Sequence, residues 1–136
     1  LSPPDLEKAK FHSKKAFELN QNNHTALLNL GVAMGKSGDN RNDVLLVYLA
    51  GEKAAIINMA DDITIGKFKL LAGHCYKDLN NHKEAKTKYE EARPYFEKHK
   101  DNKISQISAD ANYWLNQLEE NYKTVVDKLS PNIKFV

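Results

Sequence analysis

The sequence predicts an all-α protein, a solenoid of antiparallel helix pairs. Apolar residues recur at helical spacing along nearly the whole chain, and prolines stand at only four positions, Pro3, Pro4, Pro94 and Pro131. Small residues and turn residues also return in the same order at fixed intervals. No run of alternating β-branched residues reaches strand length. At 136 residues, 41% hydrophobic, the chain fits one domain with a real core. The mean hydropathy is −0.63, and no run of about 18 uncharged apolar residues exists, which excludes a membrane span. One cysteine excludes an internal disulfide and any CxxC-type zinc or redox motif. A net charge of +2 exerts no global pull toward nucleic acid or an anionic membrane.

The first helix is expected from Asp5, an N-cap type residue after two prolines, to Asn20, with Leu6, Ala9, Ala16, Phe17 and Leu19 as its apolar positions. The second runs from Thr25 to Lys36 and is stopped by Gly38. The third covers Asn42 to Met59. The fourth, Ile63 to Leu79, carries Ile65, Phe68, Ala72, Cys75, Tyr76 and Leu79 as one apolar stripe. A fifth runs from His82 to His99, and a last one from Ile104 to Leu129 is ended by Ser130-Pro131. No initiator methionine or signal-type stretch opens the chain at Leu1-Ser2-Pro3-Pro4, so it is expected to begin inside a longer protein or after a removed leader. The sequon Asn23-His24-Thr25 reads as accidental in so Asn-rich a chain.

The helices repeat. Gly31 and Gly38 stand 7 residues apart, as do Gly73 and Asn80; Gly31 and Gly73 stand 42 apart, as do Ala50 and Ala92, while Ala16 and Ala50 are 34 apart. A further 42 residues carry Ala72 and Tyr76 onto Trp114 and Leu118. Small residues at Ala16, Gly31, Ala50, Gly73 and Ala92 let helix axes approach closely, and Gly38 and Asn80 can each adopt the left-handed conformation that ends a helix. One such pair cannot cover its own apolar surface, so the pairs must stack.

These positions resemble the tetratricopeptide repeat (TPR) family, with repeats lengthened to about 42 residues. The likeness lies in Leu27, Leu30, Gly31 and Met34 followed by Gly38-Asp39 and Ala50, and again in Ala72, Gly73, Tyr76, Asn80-Asn81, Ala85, Tyr89 and Ala92. It spans about residues 6 to 97. Asp43 departs from it, standing where Ala9 and Ala85 are small, and the proline usual at repeat ends is missing. Lengthened repeats are similar to those of the TPR subfamily that scaffolds cell-polarity and motor proteins. The resemblance implies a right-handed superhelix of six helices. Residues 5–20 are the second helix of a partial repeat, 24–60 and 62–99 are full repeats, and 103–129 caps the stack. The whole is expected to be one domain over 1–136, part of a longer protein.

Chemistry finds little to hold. His74, Cys75 and Asp78 offer too few ligands for zinc, and Cys75 lies on the apolar stripe as a small hydrophobe. No serine sits in a nucleophile-elbow setting and no Gly-rich phosphate loop exists, so no enzyme activity, cofactor, metal or small-molecule substrate is expected. The basic first helix and the laced charges of the fifth read as solvated faces. In the family the concave groove is lined by the first helix of each pair. That places Thr25, Leu28, Asn29, Val32 and Lys36, then Lys67, Leu70, Leu71, His74, Lys77 and Asp78, along a binding surface. Asn29 and Lys67 match part of the carboxylate clamp of chaperone-binding TPR domains, with Leu71 where that clamp has a second base.

The groove residues expected to bind are Thr25, Asn29, Val32, Lys36, Lys67, Leu70, His74 and Lys77, with a protein or peptide as partner. Two alternatives stand beside this: a structural or oligomerisation segment, for which the exposed N-terminal edge is expected to support a homodimer, and helical-repeat nucleic-acid binding. Only Lys36, Lys67 and Lys77 face the groove, which disfavours nucleic acid. The compartment is open, with the cytoplasm favoured.

Overall fold

The computed structural model describes residues 3–130, so the Leu1-Ser2 opening and Pro131 lie outside the described residues. Six helices follow in order: α1 (Pro3–Leu19), α2 (His24–Lys36), α3 (Arg41–Ile57), α4 (Asp62–Asp78), α5 (His82–Glu97) and α6 (Ser105–Leu129). The described residues contain no strand. Each helix packs on the next in sequence, and α6 also reaches back to α4.

Asparagines set the helix starts. Asn23 Oδ1 accepts from the Ala26 N–H at 3.0 Å, Asn40 from Asn42 at 2.8 Å, and Asn81 from Glu84 at 3.3 Å. Asp61 does the same for Thr64 at 2.7 Å. Each cap satisfies a backbone donor that the first turn leaves unpaired and contributes about 1 kcal/mol. The abundance of asparagine thus has a local cause, and Asn23 of the sequon is one of these caps. The first helix starts at Pro3 rather than Asp5: a proline at a helix start lacks only an N–H that would have no intrahelical partner, so Asp5 falls inside the first turn.

At the helix ends, Gly38 (φ 76°) and Asn80 (φ 62°) adopt the left-handed backbone that their spacing predicts. Met59 (φ 55°) does the same, which the sequence did not signal; α3 stops at Ile57 and Met59 lies in the turn, 88% exposed.

Aromatic rings laid on glycines make the close helix contacts. A Cβ added at Gly31 would stand 2.5 Å from Tyr48 Cε1, and one at Gly73 would stand 2.7 Å from Tyr89 Cε1. Gly51 is covered by Phe68, and Gly66 lies beneath Phe96. The two tyrosines, 41 residues apart in the sequence, do equivalent work on glycines 42 apart. Consequently Ala50 is not the counterpart of Ala92. Ala50 is exposed, Ala92 is buried, and Gly51 takes the close contact on α3. The loop 37–40 has one residue more than 79–81, which shifts the register of α3 by one position relative to α5. In the corrected register Val44, buried, stands where Ala85 does, and Asp43 points to water.

Two apolar clusters form the core. Val44, Leu45, Tyr48 and Ala55 of α3 pack with Ile65, Phe68, Ala72 and Cys75 of α4. On the other side of α4, Leu70 packs with Ala85, Tyr89, Ala92 and Phe96 of α5 and with Leu118 and Val125 of α6. The fourth helix is therefore buried on two faces, where its sequence showed one stripe.

Candidate groove between α1, α2 and α4

A groove of about 520 Å³ opens between α1, α2 and α4 and is closed at one end by Trp114 of α6. The regular apolar spacing of α2 points Leu28 and Val32 into it, and Leu71 of α4 and Leu6 of α1 complete an apolar floor. Asn29, Lys36 and Lys67 stand at its edges together with His12, and no carboxylate lines it. The Lys67 ammonium lies 5.2 Å from the centre of the Trp114 ring, a cation–π contact that ties α4 to α6 at the groove wall.

Of the residues the sequence assigns to a groove, the structure brings together Asn29, Val32, Lys36 and Lys67. Thr25 is exposed one turn away, in a shallow extension shared with Asn29, His12 and Ser13. The remaining three lie elsewhere. Leu70 is 0% exposed and belongs to the core with Tyr89 and Leu118. His74 Nδ1 lies 2.6 Å from the Tyr89 hydroxyl, inside the α4–α5 contact. Lys77 Nζ donates to Asn121 Oδ1 of α6 at 2.8 Å. Neighbouring helices take up these positions: α5 receives His74, α6 receives Lys77, and Leu70 packs against both.

The hold of α6 is polar as well as apolar. Arg93 donates to Glu119 from Nε at 3.0 Å and from Nη2 at 2.7 Å, and its guanidinium stacks 4.5 Å from the centre of Tyr122. The Tyr122 hydroxyl donates to Glu90 at 2.9 Å. These are surface contacts of modest individual worth, but they fix α6 antiparallel to α5.

Burial pushes the His74 imidazole down to about 4, helped by the nearby Lys77 charge and opposed by Asp78, so the ring is neutral. A neutral ring with its proton on Nε2 accepts from Tyr89. Burial likewise pushes the Cys75 thiol up to about 11, which keeps it protonated and unreactive beside the core. Among the described residues no three His, Cys, Asp or Glu side chains gather in a way that could hold a metal ion. No described helix is long and apolar enough to cross a membrane.

Sequence reasoning missed one cluster. Glu52 of α3, Lys69 of α4, and Lys88 and Glu91 of α5 form a charge network, with Lys69 Nζ 2.6 Å from Glu52 Oε2 and Lys88 Nζ 2.7 Å from Glu52 Oε1. Lys69 also lies 3.2 Å from Glu91. Glu52 and Lys69 are each 8% exposed. Burial acts to raise the Glu52 carboxyl, but the two lysines outweigh it and hold the group below its ordinary value. For Lys69 burial acts downward and the two glutamates outweigh it, so its ammonium is held above its ordinary value. A helical register that places charged residues beside Phe68 and Leu70 was the available signal.

No protein-family model matches the chain, and no curated protein matches it.

Proposed function

We propose that the chain is a helical-repeat scaffold similar to TPR domains, which holds a peptide or protein segment in the groove between α1, α2 and α4. The repeat reading is supported by the ring-on-glycine contact that recurs between α2 and α3 and between α4 and α5. The single observation that carries the function is the lining of the groove. Leu28, Val32, Leu71 and Trp114 offer apolar surface for side chains, while Asn29, Lys36 and Lys67 supply hydrogen-bond donors at the edge. That combination of an apolar floor with a few polar groups is what a peptide-holding cleft requires. The lysines are too few and too dispersed to make a phosphate track, since Lys77 is bonded to Asn121 and Lys67 to Trp114.

The test is affinity capture with the wild type beside an Asn29→Ala/Lys36→Gln double variant, followed by titration of the captured partner. Both positions are exposed, so the variant is expected to keep its stability within about 0.5 kcal/mol. Its affinity is expected to fall about ten-fold or more. Equal binding by both proteins would move the contact away from this groove. Lys67 is left intact in the test because its loss would also loosen α6 from α4.

A further inference from the structure

We propose that a second face, on the other side of α1, joins two copies of this chain about a two-fold axis. A groove of about 480 Å³ runs between α1 and α3, floored by Leu30 and Met34 of α2. Phe11 on the α1 bank is 59% exposed, and Leu46 on the α3 bank is 64% exposed. Further along the same side of α3, Leu49, Ile56 and Ile57 add apolar surface around the exposed Lys53; Ile57 is 59% exposed. Large apolar side chains exposed on both banks of one groove mark an interaction site rather than an ordinary solvated helix.

The charges on the two banks identify the occupant. The α1 bank carries Glu7, Lys10 and Lys14, and the α3 side carries Asp39 and Asp43. Lys10 is already engaged, 2.9 Å from Glu7 and 3.3 Å from Asp39. Lys14 and Asp43 are exposed and have no ionic partner among the described residues. The two charges left without a partner are thus opposite in sign on opposite banks, which is the pattern that a two-fold contact needs, because such an interface must be complementary to itself. An axis lying along the groove carries the α1 bank of one copy over the α3 bank of the other. Lys14 then meets the partner's Asp43, and Phe11 and Leu46 are both covered by the partner's banks; each contact occurs twice. A face of one sign would repel its own copy, whereas this one attracts it. The contact is closed, so it yields a dimer and no larger assembly. It leaves the α1–α2–α4 groove free, and therefore stands apart from the proposal on peptide binding.

The test is sedimentation equilibrium of the full chain over a wide concentration range, with circular dichroism to verify the fold of each variant. The wild type is expected to show a monomer–dimer equilibrium that weakens with salt. Leu46→Glu and Phe11→Glu, both at exposed positions, are each expected to weaken the dimer at least ten-fold, roughly the loss of one central contact. Lys14→Glu and Asp43→Lys should each weaken it several-fold, and the double variant should restore it. The groove variant Asn29→Ala/Lys36→Gln should dimerise like the wild type. A wild type that stays monomeric, a dimer indifferent to Leu46→Glu, or a charge-swapped double variant as weak as its parents would each overturn the proposal. A different protein captured through Leu46 by a chain that does not self-associate would overturn it too, assigning the face to that partner.

Discussion

Tyr89 is received by two adjacent residues of α4: its ring lies on Gly73 and its hydroxyl meets His74 Nδ1 at 2.6 Å. The ring is fully buried, so it has no free direction in which to yield. Gly73→Ala places a methyl 2.7 Å from Tyr89 Cε1 and is expected to cost about 1–3 kcal/mol by overpacking, measured by urea denaturation. The neighbouring histidine makes a different prediction. His74 is held neutral in the fold down to about pH 4, while in the unfolded chain it protonates near its ordinary value of 6.5. Below 6.5 the unfolded state therefore binds more protons, and stability falls as pH falls toward 4. The loss over that window should amount to roughly 2–3 kcal/mol. Glu52 and Asp62, whose carboxyls are held below their ordinary values of 4.5 and 3.8, begin to add their own losses as pH falls through those values, so the interval from 6.5 to 4.5 isolates the histidine from them. His74→Gln keeps an acceptor for Tyr89 and is expected to flatten the slope between pH 6.5 and 4.5; an unchanged slope would assign it to other groups.

The central element is α4, and it shows where the sequence could be read and where it could not. Its Ile65, Phe68, Ala72 and Cys75 stripe is buried as the period of 3.6 predicts. A single stripe, however, tells of one neighbour. Which helices cover the opposite face depends on how α5 and α6 pack, and no local pattern around Leu70 encodes it. The same is true of register: a repeat interval read from alanines cannot sense the extra residue in the loop 37–40, which puts Gly51 and not Ala50 in contact. Caps and left-handed turns were legible because Asn, Asp and Gly act within four residues of themselves. The Glu52–Lys69–Lys88–Glu91 network joins three helices: a charge between Phe68 and Leu70 flags Lys69 in the sequence, but which residues answer it depends on how α3 and α5 pack. Glu52→Ala would leave Lys69 and Lys88 facing each other with Glu91 as their remaining counter-charge, and is expected to cost about 3 kcal/mol. Glu52→Leu with Lys69→Met should recover much of that loss in the same denaturation experiment, because an apolar pair of similar volume needs no counter-charge.

At the scale of the whole molecule, α6 has two effects at once. It packs on the face of α4 that carries Leu70 and Lys77, and it supplies Trp114 as the end wall of the groove that stays open. Only the upper part of α4, at Lys67 and Leu71, therefore remains available beside α2. A chain cut after Asn102 loses Leu118 and Val125, both fully buried, and uncovers Leu70. Burial of such side chains stabilises by about 1.5–3 kcal/mol each, so the cut removes about 5 kcal/mol or more. That is comparable to the whole stability of an ordinary domain, about 5–15 kcal/mol. Each helix packs mainly on its sequence neighbours, so the loss should fall unevenly. The α4–α5 end is expected to loosen and expose apolar surface, while α1 to α3 keep their mutual contacts. Amide exchange and dye binding on the shortened chain check this: rapid exchange confined to α4 and α5 is the expected result. Uniform exchange across all five helices would mean that the chain unfolds as one unit with α6 at its centre. A shortened chain as stable as the full one would mean that α6 does not secure the stack, and that the wall of the groove is built on a helix free to leave it.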